Sequence, residues 1–301
     1  MLELHDQVSH PYICYVRTQR GEALVTRSQW LVDVRRAHVI DPINRDPRET
    51  SAENTRLGYP VDWIFHTAIG GGQADFDQQV ANLSPRDRVM LYALFNQKGH
   101  VDELIHAFER LLPDPALLHG ATVLDIGCGP FTAGLALANV AGNGVAFRYF
   151  GVDLSQAMCA FGNELATAAC AAGGLDVRST VGFFADADAI DFGPPRSEWT
   201  VVVLSYLLAS GSLDVEMLCE QIVRACDRIG FGPVAVLYTN AIRPTARAKF
   251  PELEARLLEA GFEKKVEEQE RLTDGDKDRD IHYALFVRAP TGTIALERFT
   301  A

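Results

Sequence analysis

The sequence predicts an α/β protein whose main domain is a doubly wound, mostly parallel sheet of seven strands. Three observations lead to this fold class. From residue 120 onward, segments with strand character and segments with helix character alternate, which is typical of a parallel sheet with helices on both faces. The apolar run Val123-Leu124 ends in an acid, Asp125, and glycines and a helix-forming segment follow it. Residues 147–153 form a second predicted strand that also ends in an acid.

The N-terminal part of the chain gives a mixed α/β signal. Residues 12–16 and 23–26 are rich in β-branched and aromatic side chains and predict short strands around an Arg-Gly turn. Residues 29–40 are apolar in a pattern that fits either a strand or a helix. Residues 41–60 are polar, with prolines and glycine, and predict a loop.

Two helices are predicted before the main domain. Ser84 followed by Pro85 and by an acid at Asp87 is a typical helix start, and apolar residues at helical spacing continue through residues 101–112 in a second helix. The three glycines at 70–72 predict either a surface linker or the hinge of a lid. We therefore divide the chain into an accessory or substrate-lid region, residues 1–117, and a main domain, residues 118–301.

The main domain continues with the same alternation to its end. Helices are predicted at residues 155–172, 215–229 and 251–260, and strands at 122–125, 180–185, 199–204, 233–238, 264–272 and 281–288. Gly261 is a natural stop for the last helix. The last two strands are joined by the polar loop 274–280 and predict a closing antiparallel hairpin.

Composition excludes several function classes. The 301 residues are 48% hydrophobic and 23% charged, as in ordinary globular proteins, and no apolar run is long enough for a membrane span. The net charge of −12 argues against nucleic-acid binding through the overall field, although a local basic patch is still allowed. The six cysteines form no Cys-x-x-Cys pair, so neither a zinc site nor a disulfide framework is predicted. A cytoplasmic protein fits best.

The glycine turn after Asp125 predicts a ligand site. Glycines let the main chain turn sharply and leave backbone N–H groups facing a ligand at a helix start. A dinucleotide fingerprint requires a third glycine where this chain has Thr132, and the Gly-Lys-Ser/Thr ending of a phosphate-binding P-loop is absent. A nicotinamide oxidoreductase is therefore a weak alternative.

The pattern acid-x-Gly-x-Gly, from Asp125 through Gly127 to Gly129, resembles motif I of the class I S-adenosylmethionine-dependent methyltransferases. The resemblance implies that Asp125 and the backbone of Gly127, Cys128 and Gly129 hold the amino-acid end of the cofactor. The chain departs from the family at Phe131, where many members have a third glycine. The closing hairpin after five parallel strands is also what this resemblance implies.

Later segments resemble further motifs of the same family. Residues 149–155 are similar to the second motif, so Asp153 is expected to accept hydrogen bonds from both ribose hydroxyls of the cofactor. Leu154 and Met158 are expected beside the adenine, although both could equally be core residues. Asp186 is expected to accept from the adenine amino group while the backbone of Ala187 meets the ring.

The segment after the fourth strand is where the family's substrate pocket opens. Ser205 is expected to contact the cofactor there and Tyr206 to act in catalysis. The prolines typical of enzymes that methylate exocyclic base amines are absent, and so is the Pro-Cys pair of cytosine-C5 enzymes. A general base is needed only when the acceptor keeps a proton, and His66 is the second candidate beside Tyr206. His119 and Tyr238 are weaker ones.

The sequence therefore predicts an S-adenosylmethionine-dependent methyltransferase. The acceptor is either a small molecule or RNA, and neither a membrane nor a metal is expected to take part. Arg243, Arg247 and Lys249 follow the fifth strand and predict either a solvated helix start or an anchor for an anionic acceptor. The alternative function is a non-catalytic, cofactor-binding or scaffold protein that retains the methyltransferase fold.

Overall fold

The computed structural model describes residues 23–112, 114–273 and 278–291, and these residues build one sheet flanked by helices. The strands are β1 Ala23–Leu24, β2 Thr122–Ile126, β3 Arg148–Val152, β4 Thr180–Phe184, β5 Thr200–Ser205, β6 Val234–Ala241, β7 Glu263–Thr273 and β8 Asp278–Arg288. The α-helices are α1 Gln29–Arg35, α2 Asp41–Asn44, α3 Val61–Trp63, α4 Pro85–Tyr92, α5 Lys98–Leu111, α6 Thr132–Ala141, α7 Gln156–Ala171, α8 Val215–Ile229, α9 Pro244–Arg247 and α10 Phe250–Glu259.

The strand order is β1-β7-β8-β6-β5-β2-β3-β4. Strands β2 to β6 are parallel, and β8 lies antiparallel between β6 and β7. The predicted seven strands and the closing hairpin are thus confirmed. The two residues of β1 add an eighth strand in parallel beside β7, with Ala23 opposite Leu272. The strand predicted at residues 12–16 lies outside the described residues.

The sheet is covered on both faces, which confirms the doubly wound architecture. Successive residues of β2 face opposite sides, so Val123 packs in the core under α5, α6 and α7 while Leu124 packs in the core under α8 and α10. Strands that are buried on both faces read as continuous apolar runs rather than as alternating ones. This is why β2, β5 and β6 could be located from the sequence.

The undecided run 29–40 is helical. Helix α1 passes through a π-helical segment, Arg36–Ile40, directly into α2. Leu31, Val34 and Val39 are its buried positions. The loop predicted at 41–60 is therefore wrong for Asp41–Asn44, where Pro42 occupies the first turn of α2 and does not interrupt the helix.

The two helices predicted before residue 112 form one continuous helical run. Ser84 caps α4 in a capping box with Asp87, as its sequence predicted. The π-helical segment Ala93–Gln97 then joins α4 to α5 without a break, because no proline interrupts residues 86–111. The π turn places the side chain of Gln97 so that its amide donates to the carbonyl of Pro130, 2.7 Å away, in the glycine turn.

The accessory region packs closely on the main domain. Helix α5 lies along α6, and both contribute to one hydrophobic core. The glycines at 70–72 form a 3-10 turn in which the carbonyl of Gly71 accepts from the amide of Asn96 at 3.2 Å. The division at residue 117 and the lid both stay predictions. None of the described helices is long and apolar enough to span a bilayer.

Candidate cofactor and acceptor site

The predicted site residues gather where neighbouring strands end. Strands β4, β3, β2 and β5 lie side by side and parallel, so their C-terminal ends meet at one edge of the sheet. In open parallel sheets this edge is where ligands bind. The residues that follow these strands are Asp186 and Ala187 after β4, Asp153 and Leu154 after β3, Gly127, Cys128 and Gly129 after β2, and Tyr206 after β5.

The glycine turn needs the conformational freedom of glycine. Gly127 and Gly129 have φ angles of +73° and +52°, in the left-handed region. The amides of Gly127 and Cys128 both donate to the carbonyl of Val152, at 2.8 and 3.0 Å, which ties the turn to the end of β3. The amide of Gly129 is thereby directed toward the residue that follows Val152.

That residue is Asp153, and its carboxylate closes the turn. One oxygen accepts from the amide of Gly129 and the other from the amide of Ser155, each at 2.9 Å. Burial raises the pKa of Asp153, while these two backbone hydrogen bonds lower it. A carboxylate offers about four acceptor positions, so Asp153 can still accept from two further hydroxyls.

Asp125 is an almost fully buried acid with half of its carboxylate unused. The hydroxyl of Tyr149 donates to Oδ2 at 2.6 Å, whereas Oδ1 is buried without a hydrogen-bond partner among the described residues. Burial raises the pKa of Asp125 to about 7, against the effect of the Tyr149 hydrogen bond. A buried acceptor without a partner is costly in a folded protein, so Oδ1 marks a place where a ligand donor would be stabilising.

Phe131 explains how this turn differs from the family pattern. It is fully buried and holds a φ angle of +67°, which is uncommon for a residue with a side chain. Its ring packs edge-to-face on Tyr149, with 4.9 Å between ring centroids. The ring occupies the space above Gly134, where a Cβ atom would lie only 1.9 Å from it. Because Gly134 has no side chain, it leaves room for the phenylalanine that stands at position 131, where many family members have a glycine.

The residues expected around the adenine are partly open. Leu154 is 88% exposed, and Asp186 is exposed with its carboxylate accepting from the amide of Asp188 at 2.9 Å. Met158 and Ala187 are buried. All four lie at or near the edge where the parallel strands β3 and β4 end, and their contact with an adenine stays a prediction.

A segment of the accessory region reaches the same edge. The carboxylate of Asp77 accepts from the amides of Gln156 and Ala157 at 3.0 and 2.8 Å, and from the hydroxyl of Ser155 at 2.9 Å. These contacts place the carboxylate of Asp77 at the start of α7, which follows Asp153 closely in the chain. An acid is favoured there by the free amides and the dipole of the helix.

Tyr206 forms the other side of the site. It follows β5 with a φ angle of +58°, and its ring stacks on His100 with 3.8 Å between centroids. Its hydroxyl lies close to the carboxylate of Glu103, and burial together with that negative charge raises the pKa of Tyr206. Ser205 is half-buried, and its hydroxyl accepts from the hydroxyl of Thr239 at 2.9 Å.

Helix α5 contributes two residues that the sequence did not single out. Glu103 is 3% exposed, and its Oε2 is buried with no hydrogen-bond partner in the described part of the chain. Burial raises the pKa of Glu103 to about 7, an effect that the nearby Tyr206 hydroxyl partly offsets. Burial also lowers the pKa of His100 to about 3, so this imidazole is neutral. Both lie on one helix face, three residues apart.

Tyr92 links this group to the glycine turn. Its hydroxyl lies 3.4 Å from Nδ1 of His100, and a Cβ atom on Gly129 would be 3.8 Å from the same hydroxyl. Two aromatic rings and two buried titratable groups thus lie next to the turn. The sequence signal that could have identified them is the polar pair His100 and Glu103 inside an otherwise apolar helix.

The other candidate bases that the sequence suggested do not lie beside Tyr206 and Glu103. His66 is exposed, and its Nδ1 contacts the carbonyl of Asp62 on its own helix at 3.0 Å. His119 is exposed and precedes β2, at the opposite end of the sheet. Tyr238 is fully buried on β6 against Phe250.

The basic residues after β6 are mostly engaged within the chain. The ammonium group of Lys249 donates to the carbonyls of Ser210, Gly211 and Leu213 at 2.7, 3.1 and 2.6 Å. Arg247 contacts the side-chain oxygen of Gln269, at 2.9 Å in the amide orientation that satisfies both groups. Only Arg243 of the three is exposed. The three basic residues therefore do not form a joint anchor for an anionic acceptor.

The topology decides the fold. Five parallel strands in doubly wound order, an antiparallel hairpin inserted beside the fifth, and a glycine turn after the first occur together here. The fold is that of the class I S-adenosylmethionine-dependent methyltransferases. The seven strands of this methyltransferase fold run from β2 to β8, and β1 is an addition at its edge.

Comparisons with solved structures return methyltransferases. Magnesium protoporphyrin IX methyltransferase from Synechocystis PCC 6803, with bound S-adenosylmethionine, is 16% identical over 76% of this chain and 94% of its own, with a TM-score of 0.45. An N-methyltransferase from Bradyrhizobium japonicum WM9, in complex with S-adenosylhomocysteine, is 14% identical over 64% and 87%, with a TM-score of 0.41. A putative RNA methyltransferase from Pyrococcus horikoshii is 12% identical over 76% and 98%, with a TM-score of 0.39. No protein-family model matches the chain, and no curated protein does. The fold assignment rests on the strand order rather than on these likenesses.

The residues present fit an adenosyl ligand with a charged amino-acid end. Asp125 has a free buried acceptor, Asp153 has acceptor capacity left, and the two glycines carry no side chain that would fill the space above the turn. Among the residues that the structure describes, no group of three or more metal-ligating side chains comes together.

Proposed function

We propose that the chain transfers a methyl group from S-adenosylmethionine to an acceptor that binds on the Tyr206 side of the glycine turn. The observation that carries this proposal is the pair of strand-end acids at the turn. Asp153 already accepts from the amide of Gly129, and Asp125 keeps one buried oxygen without a partner. This arrangement suits a ligand with hydroxyl donors at one end and an ammonium donor at the other.

In this proposal, each residue has a distinct role in binding. Asp153 accepts from the ribose hydroxyls, while Asp125 and the turn from Gly127 to Gly129 hold the amino-acid end. Asp186 and Ala187 take the adenine edge, and Leu154 and Met158 line its face. Ser205 lies at the junction with the acceptor pocket.

The cofactor supplies an already activated methyl group when it is bound. The protein then has to align the acceptor with that methyl group, and positioning alone can contribute roughly 7–11 kcal/mol. Tyr206 and His100 are suited to this task because they form a rigid stacked wall beside the turn. The surface contacts of His66 leave it as a weaker candidate for the same role.

An acceptor that keeps a proton needs a base, and we propose the pair Tyr206 and Glu103. The acceptor proton passes to the Tyr206 hydroxyl, whose own proton passes to the Glu103 carboxylate. This proton transfer would leave an electron pair on the acceptor free to take the methyl group that bound S-adenosylmethionine would supply. Glu103 has the pKa of about 7 that a base working near neutral pH requires.

A small molecule is the acceptor class that we favour over RNA. Lys249 and Arg247 are used internally, so the rim offers little positive charge for a phosphate backbone in a protein of net charge −12.

We expect Asp153→Ala to weaken S-adenosylmethionine binding at least about tenfold, because hydrogen bonds to a charged group are worth roughly 1.5–3 kcal/mol each. Isothermal titration calorimetry measures the affinity, and circular dichroism checks the fold. Glu220→Ala, an exposed acid on α8, is the matched control and should bind normally. Equal affinities for both variants would refute the cofactor assignment.

Transfer itself needs a separate measurement, which distinguishes the enzyme from a scaffold. Incubation with S-adenosyl-[methyl-³H]methionine and fractionated small-molecule extracts should label at least one fraction, and Tyr206→Phe should label it less. Cofactor binding without labelling of any fraction, small-molecule or RNA, would favour the non-catalytic alternative.

The raised pKa of Glu103 predicts how the stability of the folded protein changes with pH. Its pKa in the folded protein, about 7, lies above its ordinary value of 4.5, so the folded state keeps a proton that the unfolded chain releases between those values. Rising pH in that window therefore costs stability, by roughly 1.4 kcal/mol for each unit of pKa shift. Glu103→Gln removes this cost, so we expect the variant to gain stability relative to the wild type as the pH rises from 4.5 to 7.

Urea denaturation at several pH values tests this for both proteins. Glu259→Gln, an exposed acid at the end of α10, should follow the wild type at every pH. If the difference between Glu103→Gln and the wild type stays constant across the window, Glu103 titrates as an ordinary carboxylate and cannot be the proposed base.

A further inference from the structure

A cavity of about 290 Å³ lies behind the site, between the first helices of the chain and helices α5, α6 and α7. Its wall is largely aliphatic. The side chains that form it come from four helical segments and include Leu31, Val34, Val39, Val101, Leu135 and Leu165. Val32 also lines the cavity and is 42% exposed, so the cavity opens to solvent there.

The remaining wall is basic. Arg27, Arg35, Arg36 and Lys98 line the cavity, and no acidic residue does among those that the structure describes. Arg27 is compensated by the buried carboxylate of Asp102, with its two guanidinium nitrogens 2.5 and 2.7 Å from the carboxylate oxygens.

Arg35 lacks such compensation. Its Nη2 donates to the carbonyl of Leu94 at 3.2 Å, and its Nε is buried without a hydrogen-bond partner in the described chain. No carboxylate of the described residues lies within salt-bridge distance of it. Burial and the charge of Arg27 lower the pKa of Arg35, while the charge of Asp102 raises it. An anion beside Arg35 would relieve both the missing hydrogen bond and the repulsion.

We propose that this cavity binds a medium-chain fatty carboxylate, with the aliphatic chain against the valine and leucine wall and the carboxylate on Arg35. The wall supplies apolar contact, and the guanidinium supplies a charge-assisted hydrogen bond. The volume is near the lower limit of about 300 Å³ for ligand pockets, which suits a chain such as that of decanoate rather than a long lipid.

The cavity is distinct from the proposed methyltransferase site. Lys98 and Val101 of α5 line the cavity, whereas His100 and Glu103 of the same helix face Tyr206. Gln97 lines the cavity too, and its amide donates to Pro130 behind the glycine turn. Because the cavity and the proposed site lie on different faces of α5, the fatty carboxylate binds whether or not S-adenosylhomocysteine is present, and its binding does not depend on the proposed function.

Calorimetric titration of the full chain with decanoate, below its micelle concentration, tests the proposal. We expect one molecule to bind per chain, with unchanged affinity when S-adenosylhomocysteine is saturating. Decanol, which has the chain without the charge, should bind at least about tenfold more weakly. Equal binding of decanol and decanoate, binding of many molecules per chain, or competition with S-adenosylhomocysteine would each overturn the proposal.

Two variants locate the ligand. Arg35→Met keeps an apolar stem of similar length but removes the guanidinium, and it should weaken decanoate binding at least about tenfold, while Arg224→Met, at an exposed arginine on α8, should not. Val101→Phe fills part of the cavity and should also weaken binding, which keeps the test valid if Arg35→Met fails to fold. Undiminished decanoate affinity in a folded Arg35→Met or Val101→Phe variant would place the ligand elsewhere.

Discussion

Gly127→Val is expected to abolish measurable S-adenosylmethionine binding. Residue 127 has a φ angle of +73°, where a β-branched residue is strained. A Cβ atom there would lie 2.9 Å from the nearest methyl carbon of Leu207, so Leu207 would have to move. Leu207 follows Tyr206, and the valine would therefore disturb the cofactor turn and the acceptor wall together. Calorimetry should detect no binding at concentrations that saturate the wild type.

Gly142→Val separates this effect from backbone strain. Gly142 has almost the same φ angle, +70°, but no atom lies within 4 Å of its would-be Cβ, at the end of α6. The two variants should lose similar stability through strain, of order 1–3 kcal/mol, while only Gly127→Val loses binding. A folded Gly127→Val protein, by circular dichroism, that binds like Gly142→Val would mean that the cofactor lies away from this turn.

The sequence predicted those parts of the fold that are determined by residues close together in the chain. Strand β2, the glycine turn and α6 form one local unit, and the acid at 153 follows its own strand directly, so short patterns reveal all of them. Helix α8 was predicted with its observed bounds, and in the structure Asp214 caps its start and Gly230 follows its end. The hairpin of β7 and β8 was predicted from the polar loop between its strands and from the family resemblance.

The acceptor side depends on contacts that are distant in the chain. Glu103 and Tyr206 are 103 positions apart, and they come close together only because α5 packs against the sheet edge. Helical spacing indicated which residues of α5 are buried, but it could not show that the buried acid at 103 meets a tyrosine. The same limit applies to Lys249, whose charge suggested a ligand anchor, although its ammonium group binds three carbonyls of the loop 210–213.

Local patterns also left two backbone features open. Residues 29–40 gave no decisive period, and packing of Leu31 and Val34 into the common core determined that they are helical. At position 131 the departure from the family pattern left the shape of the turn open. The structure places the large ring over Gly134, a relation that neither residue indicates alone.

Replacing Phe131 is the second change that we expect to have a large effect, here on the free energy of unfolding. Replacing this fully buried ring by alanine should cost about 3–5 kcal/mol, as for other large core aromatics. Phe131→Gly should be less harmful than Phe131→Ala by several tenths of a kcal/mol or more, because glycine adopts a φ angle of +67° without the left-handed penalty of about 1–2 kcal/mol. That gain exceeds the usual advantage of alanine over glycine, about 0.4–1 kcal/mol. Urea denaturation of the three proteins measures the order.

Phe161 is the matched control because its ring is also buried but lies inside helix α7. There the order should reverse, with Phe161→Gly about 1 kcal/mol less stable than Phe161→Ala, since glycine is a poor helix former. Opposite orders at the two positions would show that the backbone at 131 keeps its left-handed conformation. If the alanine variant is more stable than the glycine variant at both positions, residue 131 is not in the left-handed region. The turn would then differ from the one in this structure.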